Sequence, residues 1–280
     1  MAVSKRDFLW AFASGLATAS TSRIATAADN PVAADNATAH AAAGHDMAGM
    51  PAHWHGSEEI AFLIYPQFTA LDVFGPHYML ASLMGAKVHF VAKTREPVAS
   101  DFKVAVVPTA TFDQCPKNLD IICVPGGSNG TLAAMRDKAT ITFLKDRGGR
   151  AKLVTSVCTG SLLLGAAGLL DGYRATSHWL ARELLRDFGA EPVDQRVVVD
   201  RNRITGAGVT AGIDFGLSIV KQLRDEDYAK TVQLLAEYQP EPPLDAGTPG
   251  RAGASTTKLV SDMFVPFMDE VRSFVRTNSR

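Results

Sequence analysis

Along the chain, unbroken apolar runs of four to seven residues take turns with longer stretches of helical period. Residues 59–65, E-I-A-F-L-I-Y, lack polar alternation, carry β-branched positions and stop at Pro66, which predicts a strand buried on both faces. Residues 71–84 predict a helix with Pro76 in its first turns, where proline is tolerated. The pattern then predicts a strand at 87–92, a short strand or hairpin arm at 103–108, and a buried strand at 119–127 ending in a glycine turn. It continues with a helix around 130–147, a strand at 151–157 and a helix over T-G-S-L-L-L-G-A-A-G-L-L. A short strand at Y-R-A-T-S and a helix over 178–188 come next. Residues 196–200 and 203–208 pair as a hairpin through Arg201 and Asn202, and helices over 211–223 and 225–236 close the domain.

Continuous strands separated by helices are the pattern of a mostly parallel sheet covered on both faces. The expected architecture is a three-layer, flavodoxin-like α/β sandwich over residues 58–240. Residues 241–280 add a Pro/Gly arm and a final helix over 255–276. Leu259, Met263, Phe267, Val271 and Phe274 recur there at helical spacing, a stripe expected to dock on the body or on a second subunit.

The first 57 residues break the pattern. Lys5 and Arg6 precede a short apolar stretch, and Ala25-Thr26-Ala27 offers a small-x-small cleavage signal. Residues 1–27 thus read as an export signal of twin-arginine type with Lys in the first Arg position, and the mature chain is expected in the periplasm; a frayed amphipathic N-terminus is the alternative. Residues 28–57 are Ala-rich and hold too few large apolar groups to fold alone, so a disordered linker is expected. His40, His45, Met47, Met50, His53 and His55 crowd this stretch; imidazole and thioether suit copper, yet a polar linker has the same composition.

Composition narrows the classes. The 280 residues are 46% apolar, enough for a sizeable core, and carry a net charge of −1 without a Lys/Arg cluster, which argues against nucleic-acid binding through bulk electrostatics. No apolar run of membrane-spanning length follows the signal. The three cysteines, Cys115, Cys123 and Cys158, are too few for a disulfide framework. Cys123 falls inside an expected buried strand, so it and Cys115 are read as unpaired structural thiols.

Cys158 stands where a β-branched strand ends and a helix begins, at the carboxyl edge of the sheet where open α/β folds bind ligands. A sharp strand-to-helix turn of this kind, eased by Gly160, lifts a side chain clear of the sheet as in the nucleophile elbow of hydrolases. The helix N-terminus favours thiolate over thiol. A buried structural cysteine is the bland alternative. Pro125-Gly126-Gly127-Ser128 ends the preceding strand, and the amides of Gly127 and Ser128 could meet developing negative charge; a tight turn needing glycine would look the same. Asp72, between Leu71 and Val73, is an acid/base candidate or a helix cap. His178 is a second base candidate or a histidine packed beside Trp179. G-G-S-N-G-T lacks the Lys-Ser/Thr ending of a phosphate loop, and G-A-G-V-T-A-G has the wrong spacing for a dinucleotide fingerprint.

The segments I-A-F-L-I-Y-P-Q-F-T-A-L-D-V-F-G-P, V-P-G-G, T-S-V-C-T-G-S-L-L-L-G-A-A-G-L-L-D-G-Y-R-A-T-S-H-W and I-T-G-A-G-V-T-A-G-I-D-F together resemble the ThiJ/PfpI family, of class I glutamine-amidotransferase-like fold. A-G-I-D-F and Y-Q-P-E-P-P-L-D-A-G-T-P look like its isonitrile hydratase subgroup, and the resemblance spans roughly residues 58–250. It implies a cysteine-dependent lyase that turns an isonitrile into an N-substituted formamide through a thioimidate. In it Cys158 is the nucleophile, Asp72 the acid/base, Thr159 the residue beside the nucleophile and Gly127 part of the oxyanion turn. His178 falls where many relatives carry a histidine, and its role stays open. The resemblance also implies a homodimer acting on a small molecule with no metal or organic cofactor. Relatives of this type are mostly cytoplasmic, so the export signal, the His/Met linker and the C-terminal helix are departures. Competing expectations are a ligand- or redox-sensing module, as in regulators of AraC type, and another thiol hydrolase or glyoxalase-like activity at the same cysteine.

Overall fold

The computed structural model describes residues 49–278. The expected export signal, and His40, His45 and Met47 of the linker, lie outside the described residues. The strands are β1 (Glu59–Leu63), β2 (Lys87–Ala92), β3 (Val98–Ala99), β4 (Ala105–Val106), β5 (Ala110–Thr111), β6 (Ile121–Val124), β7 (Leu153–Val157), β8 (Arg174–Ala175), β9 (Glu191–Pro192), β10 (Val197–Asp200) and β11 (Arg203–Gly206). The helices are α1 (Ala70–Ala81), α2 (Asn129–Arg136), α3 (Lys138–Gly148), α4 (Gly160–Ala166), α5 (Ala211–Leu223), α6 (Glu226–Leu235) and α7 (Ala254–Asn278), with a single helical turn at Pro249–Ala252.

Seven strands form one sheet in the order β10-β11-β7-β6-β1-β2-β5. Every neighbouring pair is parallel except β10 and β11, which make the expected hairpin. One group of helices, α1, α5 and α6, packs together, and α2, α3 and α4 form a second group. The sheet lies between helical layers because its central strands have no polar face: Ile60, Phe62, Ile121, Ile122 and Val154 are all fully buried. Each such side chain contributes roughly 1.5–3 kcal/mol relative to exposure.

Local chemistry accounts for the departures from the expected elements. The helix expected around 130–147 is two helices, because Asp137 leaves helical geometry and its Oδ2 accepts from Thr140 N at 3.1 Å, capping α3. The segment expected to be helical at 178–188 forms only a 3-10 helix at Arg182–Phe188, closed by Gly189 at φ 78°. Strand β4 pairs with β3 in a separate antiparallel ribbon, and the two-residue edge strand β5 is too short to leave a periodic signal.

The end of the expected linker is seated on the domain. Arg224 reaches Glu58 through two bonds of 2.6 and 2.9 Å and donates to the carbonyl of Trp54 at 2.7 Å. The Trp54 ring meets Tyr228 edge-on at 5.0 Å, and Trp54 Nε1 and His53 Nε2 both bond Asp225 Oδ2. Residues 51–57 lie against the domain around the half-buried Trp54, a group that the Ala-rich composition around it conceals. Among the described residues, no cluster of three His, Cys, Asp or Glu side chains could hold a metal ion. Helix α7 docks on the body: Phe267 and Val271 are buried, and it packs on α2 and the Arg182–Phe188 turn. Among the described residues, no helix is long and apolar enough to cross a membrane.

Candidate functional site

The turn from β7 to α4 places Cys158 at φ 57°, in the left-handed region that non-glycine residues avoid. Its amide donates to the carbonyls of Gly206 and Ala207 at 3.1 and 2.8 Å, which ties the elbow to the end of β11. Gly160 permits the turn, since a Cβ there would lie 2.2 Å from the carbonyl oxygen of Val124. The Cys158 side chain is 6% exposed.

Asp72 comes to the same place from the first turn of α1. It does not cap its helix. Its Oδ2 instead accepts from Gly126 N at 2.8 Å, and its Oδ1 is buried without a hydrogen-bond partner. The glycine is required, because a Cβ on Gly126 would stand 2.6 Å from Thr159 Oγ1 and 2.9 Å from Asp72 Oδ2. Burial pushes the Asp72 carboxyl up to about 8; the Gly126 amide opposes this and the nearby Asp101 charge adds to it. The carboxyl stands within hydrogen-bonding reach of the Cys158 thiol.

The thiol does not take the direction that its helix N-terminus suggests. Burial, and then the adjacent Asp72 charge, push it well above the ordinary cysteine range, while the Thr159 amide works the other way. Both groups are buried, and desolvation outweighs the partial charge of one helix end. At neutral pH the site therefore holds a carboxylic acid beside a thiol, rather than the free thiolate expected from the sequence.

Thr159 supports this pair. Its Oγ1 accepts from Gly127 N at 3.1 Å and bonds Thr131 Oγ1 at 2.9 Å, which in turn meets the Tyr65 hydroxyl at 3.1 Å. Tyr65 ends the chain by donating to Pro125 O at 2.7 Å. The Gly127 amide, expected to face developing charge, is thus engaged by Thr159. Ser128 adopts φ 41° at the start of α2 and caps nothing with its side chain. Among the described residues no hydrogen bond joins His178 to Cys158 or Asp72. Its ring stacks on Phe264 of α7 at 6.3 Å and lies beside Trp179, and burial lowers it to about 4, so it is neutral at pH 7.

The residues missed by sequence reasoning are Gly126, Tyr65, Thr131 and Ser177, whose hydroxyl donates to the Cys158 carbonyl at 3.0 Å. Gly126 lies within the P-G-G-S turn at 125–128, where only its neighbours carry an expected role. The other three carry no local signal, because long-range contacts create their roles. Cys115 and Cys123 are buried free thiols, and Cys123 receives a bond from Thr155 at 3.1 Å.

The profile of the DJ-1/PfpI family matches residues 58–222. The chain is 50% identical to the isonitrile hydratase of Pseudomonas putida over 194 residues, covering 69% of this chain and 84% of that protein. It superposes on the crystal structure of a ThiJ/PfpI family protein from Pseudomonas syringae with a TM-score of 0.78 and 54% identity, covering 79% of this chain and 92% of that one. It is also 27% identical to the HTH-type transcriptional regulator GbdR of Pseudomonas aeruginosa, of which it spans only 53%. With its parallel sheet, its elbow cysteine and a profile match over most of its length, the chain belongs to the DJ-1/PfpI family.

Proposed function

We propose that the protein hydrates an isonitrile to an N-substituted formamide, with Cys158 as nucleophile and Asp72 as acid/base. The observation that carries the reading is the buried Asp72 carboxyl, pushed up to about 8 and within hydrogen-bonding reach of the Cys158 thiol, in a chain 50% identical to an isonitrile hydratase over 194 residues. The terminal carbon of an isonitrile bears a lone pair and accepts a proton, and the carbon so activated accepts sulfur. Asp72 gives its proton to that carbon while Cys158 sulfur bonds to it and the thiol proton passes to the carboxylate. The sum is R–N≡C + Cys158–SH → R–N=CH–S–Cys158. Asp72 then gives that proton to the thioimidate nitrogen and, as the carboxylate so formed, takes one from the water whose oxygen adds to the thioimidate carbon; the C–S bond breaks as the hydroxyl proton of the adduct passes to the leaving sulfur. The sum of this half is R–N=CH–S–Cys158 + H2O → R–NH–CHO + Cys158–SH. A carboxyl raised to about 8 suits both halves, because an acid whose pKa is near the working pH both gives and takes a proton. The Thr159 amide, directed at the sulfur, stabilises charge on it as the C–S bond breaks.

The test is formamide production from cyclohexyl isocyanide by wild type and Cys158→Ala. Product from wild type alone supports the reading. Absence of product from wild type, with Cys158 still alkylated, rejects it and favours another thiol hydrolysis or a sensing role like that of the regulator domain. A sensor would keep ligand binding in Asp72→Asn, whereas the hydratase loses turnover. A periplasmic location and a homodimeric state belong to the same proposal; cell fractionation and light scattering on the purified chain test them.

A further inference from the structure

We propose that Ser177 is a positioning residue that holds the Cys158 nucleophile in its left-handed backbone conformation, with helix α7 bracing it from behind. The inference rests on the catalytic role of Cys158 given above. The carbonyl of Cys158 receives two hydroxyl donors, Ser177 Oγ at 3.0 Å and Ser161 Oγ at 3.2 Å. Ser161 lies three residues on in α4, where a hydroxyl bonding back to the preceding turn is routine. Ser177 is different. It arrives from 19 residues away, beyond β8, and both serines are fully buried.

These contacts hold the elbow at both ends. The Cys158 amide is fixed by Gly206 and Ala207, and its carbonyl by the two hydroxyls. A peptide clamped on both sides cannot rotate out of φ 57° without losing a buried bond, which leaves a buried acceptor unsatisfied. The reach of Sγ to the Asp72 carboxyl depends on that rotation. The segment that carries Ser177 is fixed in turn: Thr176 N donates to Thr205 Oγ1 at 2.9 Å, and the next residue, His178, stacks on Phe264 of α7. His178 thus contributes through packing, and the C-terminal helix reaches the nucleophile through one neighbouring side chain.

The experiment compares wild type, Ser177→Ala and Ser177→Thr as full-length chains. It reads kcat and KM for isonitrile hydration, the pH profile of Cys158 alkylation by iodoacetamide followed by mass spectrometry of its peptide, and Tm. Ser177→Ala is expected to lower kcat roughly ten- to a hundredfold with KM within about twofold, since misplacement of a reacting group by about 1 Å acts at this scale. It is also expected to shift the midpoint of the alkylation profile, and Ser177→Thr, which keeps the hydroxyl, is expected to restore both. The proposal is overturned if Ser177→Ala leaves the alkylation profile and kcat of the folded protein unchanged, or if threonine restores Tm without restoring them. The alkylation arm needs no isonitrile, so it decides the positioning role even where the hydratase reading fails.

Discussion

Gly126 donates its amide to one oxygen of Asp72 at 2.8 Å, while the other oxygen of the same carboxyl is buried with no hydrogen-bond partner. A carboxylate oxygen left so would be expensive, whereas a carboxylic acid can aim that edge at a proton acceptor. The free site is therefore built around the acid form. Its kcat/KM is expected to be flat from about pH 6 upward and to fall about tenfold per unit above pH about 8, where the carboxyl loses its proton. A rate profile that rises through pH 8 would rule out this assignment. Asp72→Asn should lose roughly a hundred- to ten-thousandfold in kcat, the usual scale of a general acid.

The same carboxyl couples stability to pH. The unfolded chain releases this proton near pH 4, whereas the folded chain keeps it to about 8, so folding takes up a proton between those values. The folded state binds more protons than the unfolded one in that window, and this group's contribution to stability declines as pH rises through it. Asp72→Asn does not titrate. Its Tm relative to wild type is expected to improve by several degrees from pH 5 to pH 8, and thermal melts of both proteins across that range measure it. A gap that stays constant would place the carboxyl in a wetter site.

Space at Gly126 is the next expectation. A methyl group there meets Thr159 N at 2.7 Å and Thr159 Oγ1 at 2.6 Å, atoms fixed by α4. Gly126→Ala should destabilise by roughly 1–3 kcal/mol and reduce activity with it, whereas Gly250→Ala, which meets nothing within 4 Å, should match wild type in urea melts. Equal urea midpoints for the two variants would show that the turn yields easily.

The clasp at residues 51–58 carries a separate expectation. Arg224 and Glu58 are paired through two bonds, and the Arg224 side chain is 3% exposed. Removing one partner leaves the other buried and alone, so Arg224→Ala should destabilise by roughly 2–4 kcal/mol. Trp54 would then lift from Tyr228 and open to chymotrypsin. Cleavage after Trp54 at the wild-type rate would mean that the segment is held by the aromatic contact instead.

Much of this was legible in the chain. Ile60–Leu63 and Ile121–Val124 have no polar face, so their burial between helices followed from composition alone. The elbow at Cys158 was legible because a strand, a small residue and a helix meet there within three positions. The acid at Asp72 was legible only as a choice between cap and catalyst, which the bond from Gly126 decides against the cap. The protonation of Cys158 was not legible: burial and a neighbouring carboxyl set it, and both come from distant segments. The docking of Trp54 was hidden for a related reason, since its partners Arg224, Asp225 and Tyr228 lie about 170 residues away.

The left-handed turn at Cys158 has a consequence for descent. A non-glycine residue at φ 57° costs on the order of 1–3 kcal/mol, and glycine or asparagine would adopt that conformation more readily. Packing does not ask for a thiol at this corner; the proposed reaction does. A lineage released from the reaction would keep the sheet and the elbow, drift to glycine or asparagine at position 158, and fold as well as before. Loss of the cysteine should therefore precede loss of the fold, and descendants that have changed trade should be recognisable by that one position.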